Sequence, residues 1–268
     1  MKLSVIIVNY NSGALVASNI ESLYREGLPS GTEIIVVDNN SADDSVSFLR
    51  SDFPEITLIA NEQNLGLAKA VNQAIALAKG DFYLMLNPDI VVLPGAVKEI
   101  LSFMDKNPKV GLAGGKLLSP NGELQHSCYR FYNPMTILYR RTPLGHTAAG
   151  KRAVDSFLMR DYDHETVRDV DWLMGSCYCL RASAVDQVGG MDERFFLYFE
   201  DVDWCRRFWE EGWRVTYVPQ AQFSHFHQQS SRKNPIIGIL TNWTAREHIR
   251  SAIKYFNKYQ GKPLPHQG

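Results

Sequence analysis

Asn87-Pro88-Asp89 follows directly on the apolar run Phe82-Tyr83-Leu84-Met85-Leu86. A carboxylate in a proline-stiffened turn at a strand end offers oxygen to a hard divalent cation and leaves positions open for phosphates. Asn, Pro and Asp also build ordinary turns, so the tripeptide by itself suits either purpose. A second cluster, Phe195-Phe196-Leu197-Tyr198-Phe199-Glu200-Asp201-Val202-Asp203-Trp204, leads aromatic and apolar residues into three carboxylates. Acidic residues suit the first turn of a helix. Carboxylates beside a desolvating aromatic segment also form the setting that tunes a general base. Glu200 and Asp203, three apart, share a helix face, and Asp201 faces differently. In Ser224-His225-Phe226-His227 an extended chain puts His225 and His227 on one face, where either reaches a metal held by Asp89. Asp38, at the end of another apolar run, reads equally as a helix cap or as an acceptor for a base or ribose.

These groups act together only if the elements between them bring them to one place. Residues 3–8, 34–37, 56–59, 82–86 and 110–113 are apolar runs without polar alternation, the pattern of strands covered on both faces. Amphipathic stretches between them read as helices: one with Leu15, Ile20, Leu23 and Tyr24 inward, one over 66–78, and one opened by Pro94. Ser41, Asp43 and Asp44 start a further helix, with carboxylates at the positive end of its dipole. The alternation predicts an α/β fold with a parallel sheet. In such sheets ligands bind beyond the carboxyl ends of the strands, where Asn9-Tyr10-Asn11, Asp38-Asn39-Asn40, Asn61 and Asn87-Pro88-Asp89 all fall. The turn Asn9-Tyr10-Asn11-Ser12-Gly13 lacks the glycine spacing of a dinucleotide or P-loop cradle. A bound diphosphate is therefore expected to need a metal, and the burden falls on Asp89.

Residues 119–169 are rich in Arg, Tyr, His, Pro and Gly and weakly periodic, and read as a flexible or partly helical insertion, a lid or an acceptor-contacting segment. Beyond it, 170–180 and 213–218 read as strands, and 182–188 and 200–211 as helices closed by glycine. Residues 243–259 form an amphipathic helix carrying Arg246, His248, Arg250, Lys254 and Lys258.

The 268 residues, 45% hydrophobic and 21% charged, are globular in composition and sufficient for one large α/β domain, with or without a small appendage. A formal net charge of −1 supplies no global field toward nucleic acid or anionic lipid. The first apolar run is too short for a signal peptide, and no stretch approaches the roughly 20 apolar residues of a membrane span, so a cytoplasmic protein is expected. Cys177 and Cys179 alternate on one strand face without two further ligands at zinc spacing. All four cysteines are expected to be reduced and mostly buried.

Taken together, VNYNSG up to Gly13, VVDNNSADDS up to Ser45, NLGLAKAVNQAI up to Ile75, LNPDI up to Ile90, DWLMGSCYCLR up to Arg181 and GGMDERFFLYFEDVDWCRR up to Arg207 carry a specific resemblance. The chain resembles family-two inverting glycosyltransferases of the GT-A nucleotide-sugar fold, especially the rhamnosyltransferase-like branch of cell-envelope glycan enzymes. The resemblance implies a Rossmann-like, mostly parallel central sheet flanked by helices. It implies a nucleotide-sugar-binding half at 1–118, an acceptor and catalytic half of the same domain at 119–230, and a C-terminal helical extension at 231–268. By resemblance Asn9, Tyr10, Asn11, Asp38 and Asn39 line the nucleoside pocket, and Asn64, Gly66 and Asn72 brace the nucleotide and diphosphate. Asn87 stands where the family's Asp-x-Asp metal motif has its first Asp, leaving Asp89 as the one carboxylate for Mg²⁺ or Mn²⁺ and His225 as a further ligand. Asp201 matches the catalytic base, Glu200 and Asp203 its acidic neighbours, and Trp172 and Gly175 the floor of the donor-sugar and acceptor site.

The implied reaction moves a sugar, first choice L-rhamnose from dTDP-L-rhamnose, from a nucleoside-diphosphate donor to a saccharide or lipid-linked acceptor in cell-envelope polysaccharide synthesis. A UDP-sugar donor and a catalytically silent nucleotide-sugar- or carbohydrate-binding protein are the alternatives. A sugar-phosphate nucleotidyltransferase would need a glycine-rich loop after strand one, and an NAD-dependent oxidoreductase a GxGxxG turn; both are missing. The C-terminal helix lies against a membrane as a peripheral contact or packs on the catalytic domain.

Overall fold

Strands rich in Val, Ile and Leu pair side by side, and their order decides where the polar turns gather. A computed structural model describes residues 2–226 and 243–265. Its first part alternates as expected: β1 (Leu3–Asn9), α1 (Gly13–Glu26), β2 (Glu33–Asp38), α2 (Ser45–Asp52), β3 (Thr57–Ala60), α3 (Leu67–Ile75) and β4 (Phe82–Leu86). These four strands lie parallel in the order β3-β2-β1-β4, with Asn9 opposite Asp38 and Asp38 opposite Ala60. Their carboxyl ends therefore finish level, on one edge of the sheet.

Beyond β4 the chain forms a short strand, β5 (Ile90–Val92), then α4 (Ala96–Lys106) and β6 (Val110–Leu118). Residues 119–169 contain β7 (Leu124–Gln125), β8 (Cys128–Tyr129), α5 (Pro134–Arg141), a 3₁₀ turn, α6 (Ala148–Phe157) and β9 (Arg168–Asp169). Of the two expectations for this insertion, the helical one is seen. Asn133 and Thr147 cap α5 and α6 by accepting from the backbone N–H groups of Thr136 and Gly150. The expected strand over 170–180 is broken into β10 (Trp172–Leu173) and β11 (Cys177–Arg181), with Gly175 in the break. There follow α7 (Ala182–Val188), α8 (Glu200–Glu210), β12 (Arg214–His225) and α9 (Trp243–Lys258).

The ten-stranded sheet runs β3-β2-β1-β4-β11-β6-β12-β5, with β7 and β9 attached to β6 and β12. β11 is antiparallel to both β4 and β6, whereas β6 and β12 are parallel. β5 takes its place on the sheet by pairing with β12, the last strand among the described residues. The sheet is mixed but mostly parallel along this path, and helices flank it.

Both faces are buried. Ile6 packs with Ile35, Val37 and the small inner face of α3 (Ala68, Ala70, Val71, Ala74). Val5 and Ile7 pack oppositely, with Val16 and Ile20 of α1 and Ile100 and Met104 of α4. Cys177 and Cys179 share that second face, and all four cysteines are free and buried. Tyr24, expected inward, is 44% exposed and bonds to Glu55 instead, since its hydroxyl finds that carboxylate at the surface. The helix expected to open at Pro94 starts at Ala96.

α9 packs through Ser251, Ala252 and Tyr255, and the Ser251 hydroxyl donates to the Leu197 carbonyl at 2.9 Å. His227 and residues 231–242 of the expected C-terminal extension lie outside the described residues.

Candidate functional site

The first wall is made by the turns beyond β1, β2 and β3. Asp38, nearly fully buried, accepts from the Asn9 side-chain amide (2.7 Å), the Ser41 hydroxyl (2.6 Å) and the Ser41 backbone N–H (2.9 Å). Asn11 adopts the left-handed conformation, φ 51°, and its Oδ1 accepts from the Ala42 N–H at 2.7 Å. Asn39 donates to Asn64 Oδ1 at 2.9 Å and accepts from the Leu65 N–H at 3.0 Å and the Asn61 amide at 3.2 Å. These amides hold three turns in register, so Asn9, Asn11, Asp38, Asn39 and Asn64 stand together, with Tyr10 exposed beside them. Asp38 acts here as a turn-tying cap, and the buried Oδ1 of Asn9 has no partner among the described residues.

Gly66 answers a steric demand. Its φ is +84°, and a Cβ there would sit 2.7 Å from the Phe196 carbonyl oxygen, which itself accepts from the Leu67 N–H at 3.0 Å. The glycine lets α3 touch the aromatic segment that leads to Asp201. Asn72, expected to brace the diphosphate, is engaged elsewhere: its amide donates to the Met191 carbonyl and accepts from the Met191 N–H, at 2.9 and 2.8 Å. It ties α3 to the turn before the aromatic cluster.

The second wall carries the expected metal ligands. Past β4, the Asn87 N–H donates to the Ser176 carbonyl at 2.9 Å, and the Phe226 N–H donates to the Asp89 carbonyl at 2.9 Å. The pairing of Ile90 with His225 then sets Asp89 beside the imidazole, with His225 Nε2 3.4 Å from Asp89 Oδ2. The His225 ring is nearly fully buried, and its Nδ1 lies 2.9 Å from Gln125 Oε1. The same Gln125 donates from Nε2 to the His225 carbonyl at 2.9 Å. One carboxylate oxygen and one imidazole nitrogen at this separation fit neighbouring positions on a hard divalent ion, whose ligand atoms lie about 3 Å apart. Among the described residues no group of three or more His, Cys, Asp or Glu gathers to hold a metal. A pair of this kind suits an ion completed by phosphate oxygens.

The third part surrounds Asp201, the expected base. Tyr198 and Phe199 are both left-handed, at φ 69° and 68°, a conformation that costs bulky residues on the order of 1–3 kcal/mol each. This sharp entry aims Asp201 out of the first turn of α8. Its carboxylate accepts from the Val202 N–H at 2.8 Å and from the Gly175 N–H at 3.2 Å. Desolvation outweighs those bonds and raises its pKa to about 6. Glu200 points inward, and burial together with the Asp201 charge pushes its carboxyl well above the usual range. Burial thus works against the charge of both adjacent carboxyls.

Asp203, expected at the donor sugar or acceptor, is fully buried and accepts from Arg207 (2.9 Å), Lys258 (2.5 Å) and Tyr259 (2.8 Å). It shares the inward face with Glu200, as helical spacing required, but there it fastens α9 to α8 rather than meeting a sugar. Trp172 is buried, donates to the Arg130 carbonyl at 2.8 Å and stacks on Tyr129 with ring centroids 4.5 Å apart. Its ring belongs to an aromatic floor that also includes Tyr132 and Phe199.

Asp89 and Asp201, over a hundred positions apart, lie at the same edge of the sheet. Asn87 bonds to Ser176, and the adjoining Gly175 bonds to Asp201. Sequence reasoning missed Ser41, which fills Asp38; Gln125, which holds His225; and the left-handed Tyr198-Phe199 pair. A polar residue ending a two-residue strand carries no motif, so only the long-range pairing reveals Gln125.

The comparisons with known proteins bear on the family and the fold. The profile of glycosyl transferase family 2 matches residues 4–162, and that of glycosyl transferase family group 2 matches 84–246. An N-acetylglucosaminyl-diphospho-decaprenol L-rhamnosyltransferase of Mycobacterium tuberculosis is 28% identical over 261 residues, covering 87% of this chain and 78% of its own. Two solved structures share the fold at 18% identity, each covering 98% of this chain. One is GalNAc-T7 with UDP, GalNAc and Mn²⁺ (TM-score 0.69), and the other is the mannosyltransferase PcManGT of Pyrobaculum calidifontis with GDP-Man and Mn²⁺ (TM-score 0.61). The chain spans 52% and 66% of those two proteins. Among the described residues no helix is long and apolar enough to cross a membrane.

Proposed function

The chain belongs to glycosyl transferase family 2, and from that premise we propose that it is a metal-dependent inverting glycosyltransferase of cell-envelope glycan synthesis. The donor proposed is dTDP-L-rhamnose, in line with the mycobacterial relative's name, with a UDP-sugar as the alternative; the acceptor is a saccharide or lipid-linked sugar. The observation that carries the reading is the pairing of two unlike sites on one sheet edge: Asp89 beside His225, and Asp201 with a pKa raised to about 6.

In this mechanism Asp201 Oδ1 or Oδ2 takes the proton from an acceptor hydroxyl as that oxygen attacks the anomeric carbon, and the diphosphate leaves from the opposite face, inverting configuration. A pKa near 6 keeps Asp201 ionised at pH 7 yet basic enough to hold a proton in flight. The Gly175 N–H orients the carboxylate, and burial disfavours a second charge on Glu200 beside it. Asp89 and His225 would hold Mg²⁺ or Mn²⁺, which when bound neutralises charge developing on the leaving diphosphate. Asn9, Asn11, Asp38, Asn39 and Asn64 shape the nucleoside side, with Asn87 at the diphosphate. Trp172 and its aromatic neighbours floor the sugar side.

Nucleoside diphosphate release from dTDP-, UDP- and GDP-sugars, with Mn²⁺ and a lipid-linked or saccharide acceptor, tests the reading. Release that requires donor, acceptor and metal, with anomeric inversion by NMR of the product, is expected. Donor binding without turnover under every condition would instead favour a silent binding protein.

The proposed setting is the cytoplasmic face of a membrane. α9 exposes Trp243, Ile249 and Ile253 (46, 40 and 56%) beside exposed Arg246, Arg250 and Lys254, an apolar stripe flanked by cations that complements an anionic bilayer. Flotation with anionic vesicles, lost in Ile249→Glu/Ile253→Glu, is expected; wild-type protein that never floats removes this contact.

A further inference from the structure

We propose that Ser251 is a positioning residue for Asp201, and that α9, anchored a second time at Asp203, holds the carboxylate in aim; the inference rests on Asp201 being the base. The need for a holder is set by the backbone. Tyr198 and Phe199 are consecutive left-handed residues with bulky side chains, at φ 69° and 68°. Such a pair persists only where its surroundings over-determine it. Given freedom it relaxes, and the first turn of α8, which starts at the next residue, turns with it. Asp201 is the second residue of that turn, so its carboxylate would leave the Gly175 N–H, 3.2 Å away.

Two helices grip the entry by consecutive carbonyls. The Phe196 carbonyl accepts from the Leu67 N–H at the start of α3 at 3.0 Å, and the Leu197 carbonyl accepts from the Ser251 hydroxyl of α9 at 2.9 Å. Ser251 is fully buried, so a carbonyl stripped of this donor finds no solvent in its place. The left-handed pair then sets its rings on the same helix. Phe199 meets His248 and Tyr255 with ring centroids 5.3 and 5.4 Å apart, and Tyr198 meets His248 at 5.1 Å. Beyond the base, Asp203 Oδ1 accepts from Lys258 at 2.5 Å and from the Tyr259 hydroxyl at 2.8 Å. Ser251, Tyr255 and Lys258 follow the i, i+4, i+7 spacing of one helical stripe, with its ends about 10 Å apart along the axis. One helix therefore fixes Leu197, four residues before Asp201, and Asp203, two residues after it. The base lies between the two anchors.

Two measurements test the proposal. The first needs no substrate: hydrogen exchange of the Gly175 amide, followed by ¹H–¹⁵N NMR, with the Ile6 amide of β1 as internal reference. The Gly175 amide should be protected in the wild type and exchange about tenfold faster in Ser251→Ala, while Ile6 keeps its rate. An unprotected Gly175 in the wild type, or equal Gly175 rates in the two proteins, overturns the proposal. So does an equal acceleration at Ile6, which marks general loosening of the fold. The second measurement sets nucleoside diphosphate release from dTDP-L-rhamnose or a UDP-sugar beside dTDP and UDP affinity by isothermal titration. Ser251→Ala should lower kcat by about 10–100-fold, the scale of a misaimed catalytic group, with nucleotide affinity within about twofold of wild type. Tyr259→Phe deletes one hydroxyl at the Asp203 end, keeps the ring, and should show the same split at about threefold. It carries the kinetic test alone if Ser251→Ala does not fold. Wild-type kcat in every variant that folds, or kcat and nucleotide affinity falling together, overturns the proposal. If Asp201→Asn keeps wild-type kcat, the base assignment itself fails, which is a distinct result.

Discussion

Asp89 and Asp201 are the same side chain on the same edge of one sheet, and their surroundings make them opposites. Asp89 sits in a turn with an imidazole 3.4 Å away, itself held from behind by an amide. Among the described residues Asp201 accepts from backbone N–H groups, beside a carboxyl that burial pushes well above the usual range. The first arrangement collects groups that favour a positive charge. The second removes solvent and supplies just enough hydrogen bonding to leave the carboxylate ionised but proton-hungry. What each carboxylate does in such a cleft is decided by its neighbours, which come from far along the chain for Asp89 and from nearby for Asp201.

The sharpest way to break this contrast is to neutralise each carboxylate in turn. Asp201→Asn should lower kcat by about 10²–10⁴-fold, the range for losing a general base, with nucleotide affinity within about twofold of wild type. Initial rates of nucleoside diphosphate release and isothermal titration with dTDP or UDP would measure both. Asp89→Asn should lower kcat/KM by about 10²–10³-fold and weaken Mn²⁺ and nucleotide binding together, the scale of removing one stabiliser of developing charge. Matching kinetic patterns from the two variants would dissolve the distinction between them.

Acid should act on one site more than on the other. With Asp201 as the proposed base and its pKa raised to about 6, activity should be present above that pH and fall about tenfold per unit below it. A kcat/KM profile flat down to pH 5 would contradict the role given to its desolvation. The smallest effect concerns stability. A carboxyl whose folded pKa is raised disfavours the fold once ionised, so Asp201→Asn should raise Tm at pH 7.5 by about 2–4 °C, the shift that 1 kcal/mol brings in a domain of this size. The gain should shrink as pH falls through 6. Calorimetry at pH 5 and 7.5 would show whether it does.

The nucleotide side was legible in the residues because parallel strands end in polar turns, and β1, β2 and β4 carry theirs at Asn9, Asp38 and Asn87. The level ends of these strands follow from parallel pairing alone. The direction of β11 was not legible, since Cys177–Arg181 is as apolar as any parallel strand and an apolar run does not encode its orientation. Nor was the fate of Asp203: helical spacing correctly puts it on the face of Glu200, but Lys258 and Tyr259, which take its oxygens, lie more than fifty positions onward. Asn72, placed on the nucleotide side by resemblance, bonds to Met191, 119 residues away. Local patterns report faces and ends; they do not report which distant group arrives to claim a side chain.

The pairing of β5 with β12 has a kinetic consequence. β5 directly follows Asp89, yet the strand that secures it on the sheet spans Arg214–His225. Closing so long a loop is slow compared with forming the local β/α units. The nucleoside wall should therefore mature early, with Asp89 falling into place only when the chain's late strand docks. A partly folded molecule would hold the turns beyond β1, β2 and β3 in register before Asp89 and His225 came together.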